Sequence, residues 1–132
     1  MSAQIFQKEL TVTASAIDVR NHVNNLQYLQ WCLDAAEAHW ERNATQSMLK
    51  DYVWYVLKHE ISYKASAFID ETLRISTWVT YSKGVRSERH YKIERITDGV
   101  ELVTASTLWC LLDAHTLKPT PVTEEIRNLF EE

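Results

Sequence analysis

"IDVRNHVNNLQYLQW", residues 17–31, decides how this chain is read. An acid, Asp18, is followed four residues on by His22, then by the pair Asn24-Asn25, then by a run with helical apolar spacing. Asn is a natural helix N-cap, because its side-chain oxygen accepts from an N–H that the first turn leaves unpaired. The spacing predicts a helix over 25–42. On a wheel of about 100° per residue, Gln27, Gln30, Asp34, Glu37 and Glu41 share an arc of about 80°. Apolar side chains, including Tyr28, Trp31, Leu33 and Trp40, take most of the rest. A polar stripe that narrow predicts a helix covered on most sides, as if a sheet curls round it.

Outward from the helix, period two takes over. Residues 5–14 alternate weakly and read as a strand. In 53–63, Val53, Tyr55, Leu57, His59, Ile61 and Tyr63 share one face. In 72–82, Leu73, Ile75, Val79 and Tyr81 do. The charged run 85–96 still alternates, with Val85, Tyr91 and Ile93 together. Residues 101–113 are apolar on both faces, as a central strand requires. Gly84 and the pair Asp98-Gly99 separate strand runs and read as hairpin turns. Pro119 and Pro121 close the last strand, and 123–131 reads as a short terminal helix. The order β-α-β-β-β-β makes an α+β layer design with a five-stranded antiparallel sheet.

At 132 residues one domain, 1–132, is expected. Hydrophobic residues make up 45% and charged residues 24%, a globular balance. The net charge of −4 argues against nucleic acid as a partner. No apolar run is long enough for a membrane span. The opening "MSAQIFQKEL" lacks the basic-then-apolar pattern of a secretory signal, so a cytoplasmic location is expected. Cys32 and Cys110 lack framework spacing and read as buried free thiols.

The element order, with Asp18, His22-Val23-Asn24-Asn25 and Tyr28 at the first strand–helix junction, resembles the hotdog-fold thioesterases. The likeness is to the 4-hydroxybenzoyl-CoA thioesterase-like and acyl-acyl-carrier-protein thioesterase families, and it runs over nearly the whole chain. Residues 60–79 look like the family's second and third strands, and "TPV" at 120–122 like its exit from the last strand. The chain departs from the pattern at two places. Asn21 stands where Gly commonly precedes the histidine, and Arg20 where plant-type carrier-protein thioesterases often carry Asn. The resemblance implies a hotdog fold, with the sheet wrapped around one long central helix. It implies an acyl-CoA or acyl-ACP substrate, a homodimer or homotetramer, and no metal or cofactor.

It also implies roles. The Asn25 backbone N–H, at the positive end of the helix, would stabilise the thioester oxyanion. Asp18 would act as general base or as nucleophile. From spacing alone Asp18 reads equally as a loop acid bonded to its own turn. His22 orients Asp18 or water, or holds the loop through backbone carbonyls. Asn24 and Asn25 side chains cap and brace the turn. Tyr28 reads as core or pocket wall, His59 as a satisfied core group or pocket lining, and Glu37 as part of a solvated stripe or as a helix-borne catalyst. Trp31, Leu33 and Trp40 are candidate walls for the acyl group. Residues 83–95 hold five Lys/Arg against two acids. Lys83, Arg86 and Arg89 there are candidates for the CoA phosphates, or form a solvated strand face.

Two rivals share these residues. One is a hotdog hydratase or dehydratase, whose usual loop has a Gly before the Asp and a Pro between Asp and His, both missing here. The other is a protein that binds acyl thioesters and leaves them intact.

Overall fold

The computed structural model describes residues 2–132. Strand β1 (Phe6–Thr11) leads through a 3-10 turn (Ala14–Ala16) to the long helix α1 (Asn25–Asn43). A short helix α2 (Gln46–Asp51) follows, then strands β2 (Tyr52–Tyr63), β3 (Thr72–Lys83), β4 (Arg86–Arg95) and β5 (Glu101–Asp113), and finally helix α3 (Glu124–Asn128). The strands form one antiparallel sheet in the order β1-β3-β4-β5-β2. This is the expected hotdog arrangement, with α1 packed on the sheet.

Local chemistry sets the ends of the elements. The Asn24 side chain accepts from Leu26 N–H at 2.9 Å and starts α1. Thr45 and Thr123 cap α2 and α3 through Met48 N–H and Ile126 N–H, both at 3.1 Å. Lys83 pairs with Arg86 across a two-residue turn in which Gly84 has φ of 60°. A side chain at that first turn position would be strained, so Gly is the residue that fits. Helix α2 escapes a reading by period, because six residues with one buried side chain, Met48, hold too few turns. The Thr45 cap was the available signal.

The main core joins Tyr28, Cys32, Ala35 and Ala36 of α1 to Leu73 and Ile75 of β3 and to Ile93 of β4. Each fully buried Leu or Ile there contributes ~1.5–3 kcal/mol. Both cysteines are buried and free, as expected. A second cluster gathers Met48, Leu111, Val122, Ile126 and Phe130 below the C-terminal half of α1.

Two expected strand faces are corrected. In β2, Val56 pairs with Trp109 and Lys58 with Leu108, so Leu57 is an extra residue in a bulge. A bulge inverts the alternation that follows it. Trp54 therefore points inward before it and Ile61 after it, while Val53, Tyr55 and Leu57 lie exposed on the outer side. In β3, Thr80 is the extra residue, and Tyr81 turns outward to 50% exposure instead of continuing the face of Val79. The helix is also less enclosed than its narrow stripe predicts. Its inner face meets β1 and β3, but toward β2 and β5 the space opens into a cavity.

Candidate active site

The loop before α1 is tied by its own backbone. Asp18 N–H donates to His22 C=O at 2.9 Å, Asn21 N–H to Asp18 C=O at 3.1 Å, and Ile17 and Val23 form an isolated bridge. Asn21 takes φ of 64°, the left-handed conformation that Asn tolerates better than most residues. The position where the family pattern has Gly is thus served by Asn.

Within that turn Asp18 is half-buried and its Oδ1 accepts Arg20 N–H at 2.9 Å. The acid does bond to its own turn; among the described residues its other oxygen has no hydrogen-bond partner. One helical step beyond the cap, the Asn25 N–H likewise has no acceptor among the described residues. An unpaired donor at the positive pole of a 19-residue helix is suited to receive a negative oxygen.

The His22 ring bonds neither Asp18 nor a carbonyl of the loop. Among the described residues the ring makes no hydrogen bond; it packs edge-on against Phe68 at 5.2 Å. Tyr28 takes the core alternative of its two readings. It is 2% exposed, and its hydroxyl accepts Ala67 N–H at 2.8 Å, which pins the 64–71 loop against the 17–24 loop. Burial pushes the phenol above its usual range, partly offset by that N–H. Val23 N–H donates to Ala67 C=O at 3.1 Å in the same junction, and Tyr63 OH donates to Asn25 C=O at 3.2 Å.

Beyond the loop, a cavity of about 760 Å³ runs along α1 between the helix and the sheet. That is within the usual range of small-molecule pockets. Leu33, Trp40, Trp54, Val79, Trp109 and Phe130 supply its apolar walls, and Gln30, Glu37 and Glu41 line it from the polar stripe. Of the three expected walls, Leu33 and Trp40 are in place. Trp31 is not: it packs on the main core, edge-on to Tyr28 at 5.8 Å. Glu37 is exposed, as a stripe residue should be, and sits at the cavity lining. His59 lies outside that lining and is bonded through Nδ1 to Thr107 Oγ1 at 2.8 Å, the bland alternative of its two readings. Desolvation lowers its pKa.

The basic run divides. Lys83 and Arg86 are exposed at the Gly84 turn. Arg89 is not beside them: it is 5% exposed and lines the cavity. Its Nη1 donates to His39 Nδ1 at 2.9 Å and to Thr77 Oγ1 at 3.1 Å. The alternation already held this placement, since Arg89 has the parity of Tyr91 and Ile93. His39, which sequence reasoning passed over, is 1% exposed and binds Gln4 Oε1 through Nε2 at 2.8 Å. Its signal was the spacing Tyr28, Cys32, Ala35, His39 along the buried helical face. Among the described residues no cluster of His, Cys, Asp or Glu is placed to hold a metal ion.

Residues 12–130 match the family model of the thioesterase-like superfamily. The chain belongs to that superfamily. A chloroplastic acyl-[acyl-carrier-protein] hydrolase from Cuphea viscosissima is 27% identical over 120 residues, covering 90% of this chain and 29% of the relative. The chain spans less than a third of the length of the curated relatives it matches. A 1,4-dihydroxy-2-naphthoyl-CoA thioesterase from Synechocystis superposes with a TM-score of 0.83 at 20% identity, covering 95% of this chain and 94% of that one. The Escherichia coli probable thioesterase YbaW superposes with 0.84 at 23% identity, covering 94% and 95%. For this thioesterase-like chain, membership supports acyl-thioester hydrolysis as the class of reaction, and the structural likeness establishes the fold.

Proposed function

We propose that the chain hydrolyses an acyl thioester to a free acid and a thiol. The observation that carries this reading is the unpaired Asn25 N–H at the head of α1, beside the Asp18 loop. An apolar cavity begins on the same helix at Gln30, about 7.5 Å further along the axis. In this reading the thioester oxygen lies against the Asn25 N–H, which takes up the charge that develops when the carbonyl is attacked. Asp18 acts from the loop through its unpaired oxygen. It takes a proton from water, or adds to the carbonyl and is released by water. His22 packs the loop against Phe68, and Asn24 fixes the helix start. Lys83 and Arg86 are the remaining candidates for the phosphates of CoA or of a carrier-protein arm. The reading includes both thiol carriers and a cytoplasmic location.

It also includes assembly as a homodimer or homotetramer. Support comes from β2, a 12-residue strand at the sheet edge whose outer side exposes Val53, Tyr55 and Leu57. A long apolar edge of this kind favours pairing with a second copy. Sedimentation is expected to give an even-numbered oligomer; a fully active monomer overturns that part.

The decisive experiment measures thiol release from short, long and aryl acyl-CoA and acyl-ACP substrates by wild type and Asp18→Asn. Turnover is expected to fall by about 100-fold or more in a variant with unchanged melting temperature. Turnover that survives moves the chemistry elsewhere, with Glu37 next to test. No thiol release from any substrate leaves the hydratase and the binding protein standing.

A further inference from the structure

The cavity lining holds a cation that has no counter-ion among the described residues. Arg89 is 5% exposed, and the partners of its Nη1 are neutral: the His39 ring and the Thr77 hydroxyl. Its guanidinium lies over the Phe130 ring at 5.1 Å, an attraction that leaves the charge in place. Among the described residues it is paired with no carboxylate, and its Nε and Nη2 have no hydrogen-bond partner. Burial lowers its pKa to about 10, so it stays charged at neutral pH. His39, held down at about 4 by burial and by Arg89 itself, adds no charge of its own at that pH.

A guanidinium can only donate. What its Nε and Nη2 lack is an acceptor, and for a buried cation the matching acceptor is an anion. An unpaired ion in such a site costs several kcal/mol. The other ionised groups that line the cavity, Glu37 and Glu41, are exposed, where solvent screens them.

Length follows from the helix. His39, which touches Arg89, stands 14 residues beyond Asn25, about 21 Å along the axis. An acyl group that reaches from the Asn25 N–H to the Arg89 guanidinium is therefore long.

We propose that the cavity selects long-chain acyl groups carrying a carboxylate at the end remote from the thioester, received by Arg89. This rests on the thioesterase reading for its chemistry, since hydrolysis leaves the remote carboxylate untouched. The pairing itself is a binding property that can be read without turnover. Arg89 binds the tail and takes no part in the attack.

The test compares hexadecanoyl-CoA with its ω-carboxy analogue, and the C12 pair in the same way. Binding is followed by the fluorescence of Trp40, Trp54 and Trp109, and turnover by thiol release. Wild type is expected to bind the ω-carboxy member at least tenfold more tightly. Arg89→Gln, which keeps a donor for His39, is expected to erase that preference, and Arg89→Lys to keep part of it. Arg89→Met, which fills much of the same space without a charge, is expected to erase the preference as well. It stands in should Arg89→Gln fail to fold. Equal or tighter binding of the methyl-ended member by wild type overturns the proposal. So does a preference that persists in folded Arg89→Gln. A tenfold preference without thiol release would fail the hydrolase reading and uphold the pairing. Thiol release with a methyl preference would do the reverse.

Discussion

Arg89 Nη1 donates to His39 Nδ1 at 2.9 Å, and this fixes the imidazole in the tautomer that carries its proton on Nε2. That proton is given to Gln4 Oε1 at 2.8 Å, while Phe6 stacks on the ring and Phe130 meets it edge-on. A second proton has nowhere to go: Nδ1 faces a guanidinium.

Stability should therefore depend on pH through His39. Its folded pKa, about 4, lies below the ordinary imidazole value of 6.5, so between those values the unfolded chain binds the extra proton. The contribution is fully present above about 6.5 and is lost as pH falls toward 4. The loss is on the order of 3 kcal/mol. Urea midpoints from pH 7 to pH 4 should fall in wild type and fall less in His39→Gln. Parallel slopes in the two proteins would rule the imidazole out.

Tyr28→Phe removes one oxygen and leaves the Ala67 N–H buried without its acceptor. The expected cost is ~1–3 kcal/mol of stability. Because that bond ties the 64–71 loop to the Asp18 loop, exchange of the Ala67 amide should quicken more than that of the central strand β4. Chemical denaturation and amide exchange check the two parts.

Asn21 has φ of 64°. A β-branched residue there meets a left-handed penalty of roughly 1–2 kcal/mol, and Gly meets none. Asn21→Val should lose stability and distort the Asp18 turn, lowering turnover as well. Asn21→Gly should stay folded with activity near wild type. An unaltered melting temperature for Asn21→Val would contradict this backbone.

Cys32 is fully buried, and desolvation pushes its thiol up to about 12. The thiolate is the reactive form. Ellman's reagent should find no fast thiol in the native chain, and labelling should follow opening of the main core. Stoichiometric labelling of Cys32 within seconds would refute the placement.

The local layer of this protein was legible from its residues. Asn24 marked the start of α1, Asp98-Gly99 marked the β4–β5 hairpin, and alternation located four strands to within a residue or so at each end. The candidate site was legible as a loop motif, Asp18 to Asn25, because its geometry is made by neighbours in sequence. Its support was not. Tyr28 reads as core or pocket wall, and Ala67, 39 residues away, decides for core by supplying the N–H that its hydroxyl accepts.

Sequence by itself determined α1, the five strands, their antiparallel pairing and the family likeness, since caps, turns and periods act over a few residues. Tertiary structure alone decided the sheet order β1-β3-β4-β5-β2, the two bulges that invert β2 and β3, and the removal of Trp31 from the cavity. It also decided what Arg89 meets: alternation puts Arg89 on the inner face with Tyr91 and Ile93, but His39, 50 residues away in the chain, reaches it only through the fold. The physical reason is that burial and pairing are set by which distant surfaces meet. One extra residue in a strand, or one neutral ring beside a guanidinium, changes the outcome without leaving a mark in the local pattern.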